Sequence, residues 1–478
     1  MATSVASLRD SFAAADPASW RAVVEVCRRL EAAGGRVHLV GGCVRDALAG
    51  IPIHDFDLEV FRLSPDAVRT ALRGAFELDL VGDAFGVLKL RGLPIDVALP
   101  RRESKVGRGH RGFEIRSDPW LSFRDAAARR DFTINAIAFE PTRGELIDPF
   151  GGARDLERGV LRHTSERFAD DPLRVLRGMQ LVARFELTAA EETIRVARAM
   201  DGAELAPERV FEEWRKLILL GRRPSLGLGF LRRCGWLRES PELAALVGVP
   251  QDPQWHPEGD VWRHTLLVLD AFAAARLAEP WEDLVVGLAC LCHDLGKPAE
   301  TRYLEGRWRS RGHEEAGAEP TRRLLARMTR QAAVEGEVLP LVIHHLKPRQ
   351  LFEAGAGDSA IRRLACKVGR VDRLVRVADA DEAGRGPGRG DPAPGAWLLE
   401  RARRLELADR APQPLILGRH LIARGLEPGP GFGPLLEACL EAQLDGVFED
   451  LAGGERFLDS LLAAQPSETG ERAGPSHG

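Results

Sequence analysis

The chain has 478 residues, 44% hydrophobic and 29% charged, and at about 150 residues per domain this suggests about three domains. That balance suits a globular protein with packed cores and excludes a mostly disordered chain, a collagen-like repeat or a small disulfide scaffold. The formal net charge of −4 excludes a uniformly basic nucleic-acid binder.

Positive charge is nevertheless clustered. Residues 101–130 hold nine Arg/Lys against four Asp/Glu, and residues 209–233 hold seven against two. Such local excess suits a phosphate-tracking surface, although a solvated face shows it too. The longest uncharged apolar run, Leu284–Cys292, is far short of the roughly 20 residues that cross a bilayer. The opening MATSVASLRD lacks a basic region followed by an apolar core, so no secretory signal and no membrane are expected. The seven cysteines are odd in number, scattered and without a CxxC pair. They read as buried thiols of a reducing cytoplasm.

Residues 1–36 open with a helical pattern (Trp20, Val23, Val24, Val26, Leu30) and end in Gly34-Gly35. A short apolar strand, residues 37–40, leads into Gly41-Gly42. Residues 56–61 (FDLEVF) and 86–99 (GVLKLRGLPIDVAL) alternate apolar and polar and read as strands. Residues 132–139 (FTINAIAF) continue the β/α pattern, and from about residue 164 the chain reads as helical. Pro/Gly-rich breaks fall at 248–259 and 384–395, and the last fifteen residues read as disordered. The basic, Gly-containing segment 101–112 (RRESKVGRGHRG) reads as a mobile loop.

The densest chemistry lies in HLVGGCVRDALAGIPIHDFDLEVF. Gly41 and Gly42 let backbone N–H groups approach an anion with no Cβ in the way. Arg45 and Asp46 follow at the start of a helix, and ten residues after Arg45 come Asp55 and Asp57. Two-residue spacing on a strand puts both carboxylates on one face. Paired carboxylates are what Mg²⁺ needs, because it prefers hard oxygen ligands and keeps substrate phosphates in its shell. Asp96, in LPIDVAL, is either a third carboxylate or an exposed strand aspartate.

GGCVRDALAGIPIHDFD resembles the head motif of the class II tRNA nucleotidyltransferases, the family of CCA-adding enzymes and bacterial poly(A) polymerases. RRDFTINAIAF (129–139), DPFGGARDLERGVLRH (148–163), RFADDPLRVLRGMQLVARF (167–185) and PERVFEEWRKLI (207–218) resemble the segments that follow, and the likeness covers about residues 37–390. It implies that Arg130 binds the triphosphate and Asp131 the ribose 2′-hydroxyl. In DDPLRVLR, Pro172 suits a first helical turn and Asp171 an N-cap. A carboxylate with a guanidinium can also satisfy the Watson–Crick edge of cytosine or adenine, but not that of guanine or uracil. Asp171 and Arg174, three residues apart, share a helix face. The resemblance implies that they template C and A without nucleic acid, and that Arg177 contacts phosphate or base. Asp170 stands where the family commonly has Glu, which shortens its reach.

A second constellation, His264, His293-Asp294 and Asp379 or Asp381, follows the order of the HD metal-phosphohydrolase superfamily and resembles it. Asp381 is preferred because ADxxGR resembles the superfamily's segment better. Imidazole with carboxylate suits a divalent transition metal such as Ni, Co, Mn or Zn. His313 and His344-His345 extend the set towards a second metal.

The expected fold is α+β. A nucleotidyltransferase head resembling polymerase β, with a small mixed sheet, occupies 1–163. An all-α neck (164–250), an HD domain (251–390) and a helical C-terminal region (391–478) follow. The expected activity is template-independent addition of CCA to the tRNA 3′ end from CTP and ATP. Gly42, Arg45, Arg130, Asp131, Asp171, Arg174 and Arg177 would bind nucleotide, and Asp55 and Asp57 would hold Mg²⁺. The partners would be the tRNA 3′ end and acceptor stem, read by shape and backbone charge. HD phosphohydrolysis of 2′,3′-cyclic phosphates or 2′-nucleotides at RNA ends would accompany it. Rival readings are CC-adding, A-adding or poly(A) polymerase activity alone, an HD phosphohydrolase with a degenerate head, and a protein-modifying uridylyltransferase. The sequence leaves the oligomeric state open.

Overall fold

The computed structural model describes residues 5–79, 87–105, 113–203, 205–386, 388 and 390–464. Most of the expected mobile loop, residues 106–112, and nearly all of the expected disordered tail lie outside the described residues. The chain divides into two compact units, Met1–Ala244 with Leu324–Arg330, and Ala245–Arg323 with Gln331–Gly478.

The first unit opens with helices Val5–Ala15 and Pro17–Ala32. The Asp16 side chain caps the second helix by accepting from the amides of Ala18 and Ser19. Val23, Val26, Cys27 and Leu30 recur at helical spacing and are buried, each stabilising the fold by about 1.5–3 kcal/mol. Val24 falls off that face and is exposed.

The sheet has seven strands in the order β3-β4-β5-β2-β1-β8-β9. They are β1 (Arg36–Val40), β2 (Phe56–Phe61), β3 (Leu78–Asp79), β4 (Val87–Leu90), β5 (Ile95–Ala98), β8 (Ala138–Glu140) and β9 (Glu145–Ile147). Strands β6 (Arg101–Lys105) and β7 (Phe113–Ser117) form a separate antiparallel hairpin. Phe56, Leu58 and Val60 of β2 are buried in the core, while Asp57 and Glu59 alternate onto the other face. β2 pairs in parallel with β5, and Asp57 lies in register with Asp96.

The alternating stretch 86–99 is broken into β4 and β5, because Gly92 turns at φ 77° and Pro94 follows. The segment 132–139 begins as a 3₁₀ turn, Thr133–Asn135, before joining the sheet as β8.

Helices Leu173–Phe185, Pro207–Leu220 and Pro224–Arg233 pack together after the sheet. A Cβ at Gly178 would lie 3.0 Å from the Phe230 ring and 3.1 Å from Phe132, so glycine permits this helix its close approach. The helical stretch is interrupted by a two-residue parallel pairing of Val160–Leu161 with Thr188–Ala189.

Among the described residues the regular structure of the second unit is helical apart from a hairpin, Arg302–Leu304 with Arg307–Arg309. Helix Pro280–Cys292 is buried from Asp283 through Cys292 and packs against Val261–Ala274, Ala332–His344 and Val371–Gly384. Towards the C-terminus, Ile416, Leu421, Leu435, Cys439 and Leu458 form a small core of their own. Of the seven cysteine thiols, all free, Cys366 departs from expectation in being exposed. Its helix, Asp358–Val368, buries Ile361, Leu364, Ala365 and Val368, and position 366 falls off that face. Among the described residues no helix is long and apolar enough to cross a membrane.

Candidate functional sites

A cavity of about 360 Å³ in the first unit is lined by Gly41, Gly42, Arg45, Asp57, Arg129, Arg130, Asp131, Asn135, Asp171, Arg174, Arg177 and Arg209. All seven residues expected to bind nucleotide and one of the two expected catalytic carboxylates thus face one space.

Gly41 connects β1 to helix Gly42–Leu48 with φ 77° and ψ −134°, a conformation open essentially to glycine. A Cβ there would meet Arg130 Nη1 at 3.0 Å and Asp57 Oδ2 at 3.7 Å. Gly42 begins the helix, so the special conformation belongs to its neighbour. Asp57 is largely enclosed. Burial and the negative charges of Asp55 and Asp96 push its carboxyl up to about 6, against the pull of Arg130 and Lys89. Asp96 pairs with Lys89 at 3.1 Å. Asp55 sits one residue before β2 and is exposed, and it does not line the cavity with Asp57.

Arg45 and Asp46 lie within the helix rather than at its start, and both are buried. Arg45 donates to Asp46 Oδ1 at 2.8 Å and to Asn135 Oδ1 at 2.6 Å, and stacks on Phe185 at 4.6 Å. Arg184 closes the network on Asp46 Oδ2 at 2.9 Å. Asp131 is 5% exposed. It accepts from the Phe132 amide (2.8 Å), Asn135 Nδ2 (2.9 Å) and Arg177 Nε (2.6 Å). Burial would raise its carboxyl, but Arg177 and these donors hold it below the usual carboxylate value.

The helix proper starts at Leu173 with Pro172, not Asp171, in the N-cap position, yet the Asp171 side chain still reaches the first helical amide. Its Oδ1 accepts from the Leu173 amide at 3.0 Å, and its Oδ2 from Arg209 at 2.8 Å. Arg174 donates to the carbonyls of Arg167 and Arg129. Asp171 and Arg174 are therefore each fixed by other partners while lining one cavity. Asp170 ends a 3₁₀ turn and does not line it.

In the second unit, His264, His293, Asp294, His313, His345 and Asp381 are buried together. His264 Nε2 lies 2.8 Å from Asp381 Oδ1, and His293 Nε2 lies 3.2 Å from Asp294 Oδ2. His313 Nε2 lies 3.3 Å from Asp294 Oδ1. Asp379 lies outside the cluster, close against Gly395, and burial pushes its carboxyl up to about 6. His344 also lies outside it, whereas His345 is inside.

His293, His313 and His345 share one device. Each sets its Nδ1 against a carbonyl three residues earlier, those of Cys290 (2.8 Å), Ser310 (2.6 Å) and Val342 (2.7 Å). A carbonyl only accepts, so Nδ1 carries the proton and the Nε2 lone pair faces the cluster. His264 sets its Nδ1 against Glu258 Oε1 at 2.7 Å. Burial would lower His264, but Asp381 and Glu258 raise it to about 9. Burial and the neighbouring His293 and His313 lower His345 to about 3.

Among the described residues three groups of ligand atoms are close enough to hold a cation, His264–His293–Asp381, Asp294–His313–His345 and His256–Glu258–His264. His293 Nε2 and His313 Nε2 converge on the Asp294 carboxylate without a formed hydrogen bond, and Lys297 Nζ ion-pairs with Asp294 Oδ2 at 2.8 Å. Convergent imidazoles and carboxylates of this kind fit a divalent metal.

Two family models match, the poly A polymerase head domain over residues 37–162 and the HD domain over residues 261–410. A multifunctional CCA protein of Laribacter hongkongensis is 39% identical over 366 residues, spanning 73% of this chain and 85% of the relative. Another from Xanthomonas campestris is 38% identical over 424 residues, spanning 84% and 97%. The chain belongs to the multifunctional CCA protein family. The crystal structure of the Bacillus stearothermophilus CCA-adding enzyme in complex with CTP shares the fold, with a TM-score of 0.64 at 22% identity over 93% of this chain and 98% of that one.

For this multifunctional CCA protein family member, the sequence singles out Gly41 but not its positive φ, and the fold brings in further residues that the sequence passes over. Asn135 bridges Arg45 and Asp131. Arg209 is one charge in a basic stretch, and nothing in its neighbourhood signals Asp171. His256 and Glu258 lie in PQWHPEGDVW, within the Pro/Gly-rich stretch 248–259 that reads as a break between helical regions.

Proposed function

We propose that this protein is a template-independent tRNA nucleotidyltransferase that adds C, C and A to the tRNA 3′ end from CTP and ATP. The observation that carries this is one cavity holding a carboxylate on a strand, an arginine-rich wall and an immobilised Asp/Arg pair. Its relatives are multifunctional CCA proteins. The terminal 3′-hydroxyl attacks the α-phosphorus, an O–P bond forms, the bond to the β-phosphate oxygen breaks, and pyrophosphate leaves. Catalysis of this kind is mostly positioning and charge neutralisation.

Arg130 and Arg45, with the backbone at Gly41-Gly42, hold the triphosphate. Asp131, kept ionised, accepts from the ribose hydroxyl. Asp171 and Arg174 read the base, Arg209 and the helix amide fixing the carboxylate, and Arg177 completes the wall. Both domain families are metal-dependent. Asp57 and Asp55 fit Mg²⁺, because the crowding that raises Asp57 is what a divalent cation relieves. When bound, Mg²⁺ supplies charge neutralisation at the phosphates and activation of the hydroxyl. We assign the tRNA acceptor contact to the basic stretch 209–233, and keep 1–163, 164–250, 251–390 and 391–478 as head, neck, HD domain and tail.

The second unit is assigned phosphohydrolysis of 2′,3′-cyclic phosphates or 2′-nucleotides at RNA ends. His264, His293, Asp294 and Asp381 would hold a divalent transition metal (Ni, Co, Mn or Zn), which supplies Lewis-acid chemistry when bound. The deciding experiment supplies labelled CTP and ATP, singly and together, to tRNA lacking CCA, and sequences the product ends. Ends extended to CCA are expected. Ends stopping at CC, gaining only A or growing a poly(A) tail overturn the assignment in favour of the corresponding rival.

A further inference from the structure

The second unit holds a cavity of about 350 Å³ above the His/Asp cluster. Asp294, His313, His345 and Asp381 line it, as do two tryptophans, Trp255 and Trp308. A phosphate group alone needs far less room, whereas a small organic ligand needs about this much.

The tryptophans are the unusual part. Trp255 is 52% exposed and Trp308 36% exposed. Leaving so large an apolar side chain in water forgoes much of its burial energy. Neither is a loose end. Trp308 lies on the antiparallel hairpin and packs edge-on against Tyr303, with ring centroids 5.1 Å apart. Trp255 sits in a turn closed by backbone bonds to Asp252, from its own amide at 3.1 Å and from His256 at 2.8 Å. The Trp308 ring is thus held by a neighbour, and the Trp255 backbone by its turn, with both side chains on the cavity wall.

Lys297, Arg349 and Arg385 line the same space, Lys297 ion-paired with Asp294 at 2.8 Å and the two arginines with Glu382 at 2.7 and 3.1 Å. The buried Arg385 Nε has no hydrogen-bond partner and leaves a donor for an anion on the wall. Exposed flat rings beside cationic and metal-ligating groups match a ligand with a π face at one end and a phosphate at the other.

We propose that Trp255 and Trp308 are base-stacking specificity residues of a ribonucleotide pocket over the His/Asp cluster. This rests on the phosphohydrolase reading of the second unit and adds to it which residues recognise the nucleoside part of the substrate. A phosphorylated serine would find no use for the rings. Stacking tolerates any base, so the pocket discriminates nucleotides from other phosphate esters rather than one base from another.

The test titrates the full-length, metal-loaded protein calorimetrically with adenosine 2′-monophosphate, with inorganic phosphate, and with a tRNA ending in a 2′,3′-cyclic phosphate. Trp255→Ala and Trp308→Ala are each expected to weaken the nucleotide by at least about fivefold. Phosphate affinity and metal content are expected to stay at wild-type values, and Trp255→Phe to restore most of the loss. Unchanged nucleotide affinity overturns the proposal. So does a parallel loss of phosphate affinity, which marks a structural role. A loss seen also with the tRNA makes RNA 3′ ends the source of the ligand; a loss confined to the mononucleotide makes it a free nucleotide. Steady-state hydrolysis of a cyclic nucleotide separates this inference from the reading beneath it. Tryptophan-dependent binding without hydrolysis sinks the phosphohydrolase assignment alone, while hydrolysis with an unchanged KM in both alanine variants sinks the stacking assignment alone.

Discussion

Replacing Asp57 by Asn should stabilise the metal-free head while abolishing nucleotide addition. The Asp57 carboxyl is pushed from 3.8 up to about 6 by burial and by Asp55 and Asp96. A native group that holds its proton more tightly than the unfolded chain does makes stability fall as pH rises. A rise of this size costs the folded head roughly 3 kcal/mol, in full above pH 6. About half of that cost remains near pH 5, and almost none below pH 4, where folded and unfolded chains are both protonated. Asn is nearly isosteric and carries no charge, so Asp57→Asn should recover that roughly 3 kcal/mol at pH 8 and little at pH 4. Hydrogen exchange of the β2 amides reports the head's own opening energy, unmixed with unfolding elsewhere. Protection in β2 should rise by about 100-fold in the variant at pH 8. Mg²⁺ should raise β2 protection in the wild type and leave the variant unmoved. Equal protection in the two proteins at pH 8, or the same gain at pH 4 as at pH 8, would refute the reasoning.

Three further changes probe the two sites. Gly41→Ala forces a Cβ into a left-handed conformation 3.0 Å from Arg130 Nη1; it should cost about 1–3 kcal/mol, read by thermal unfolding, and weaken CTP in equilibrium binding. Arg209→Ala removes the partner of Asp171 Oδ2; kcat/KM for C addition should fall about 10–100-fold, and misincorporation of U should rise in sequenced products. His293→Ala should remove divalent-ion binding to the second unit, measured by metal analysis after dialysis, and phosphohydrolysis with it. Extension of tRNA should persist in that variant, because His293 and the nucleotide cavity lie in different compact units.

The parts of the head legible in sequence are local. The strand–glycine–helix turn and the alternation of FDLEVF are written in consecutive residues, and the structure has both. The role of Asp96 is undecidable at that level, because it depends on β2 and β5 pairing in register across about forty residues of chain. Arg209 is invisible for the same reason: it meets Asp171 through the packing of two helices. In the second unit the order of His and Asp residues picks out the cluster's members. The choice between Asp379 and Asp381 rests on helical phase, since two residues of helix turn a side chain through about 200°.

Helices Pro280–Cys292 and Ala332–His344 both end at the cluster, where His293 and His345 are their C-caps. The carboxyl end of a helix carries partial negative charge. Together with Asp294 and Asp381, and set against Lys297, these termini favour a cation on the pocket floor. A metal bound there would supply the counter-charge for a phosphorylated ligand. Order-of-addition kinetics would then show ligand binding strengthened by the ion, so that ion supply governs the second activity.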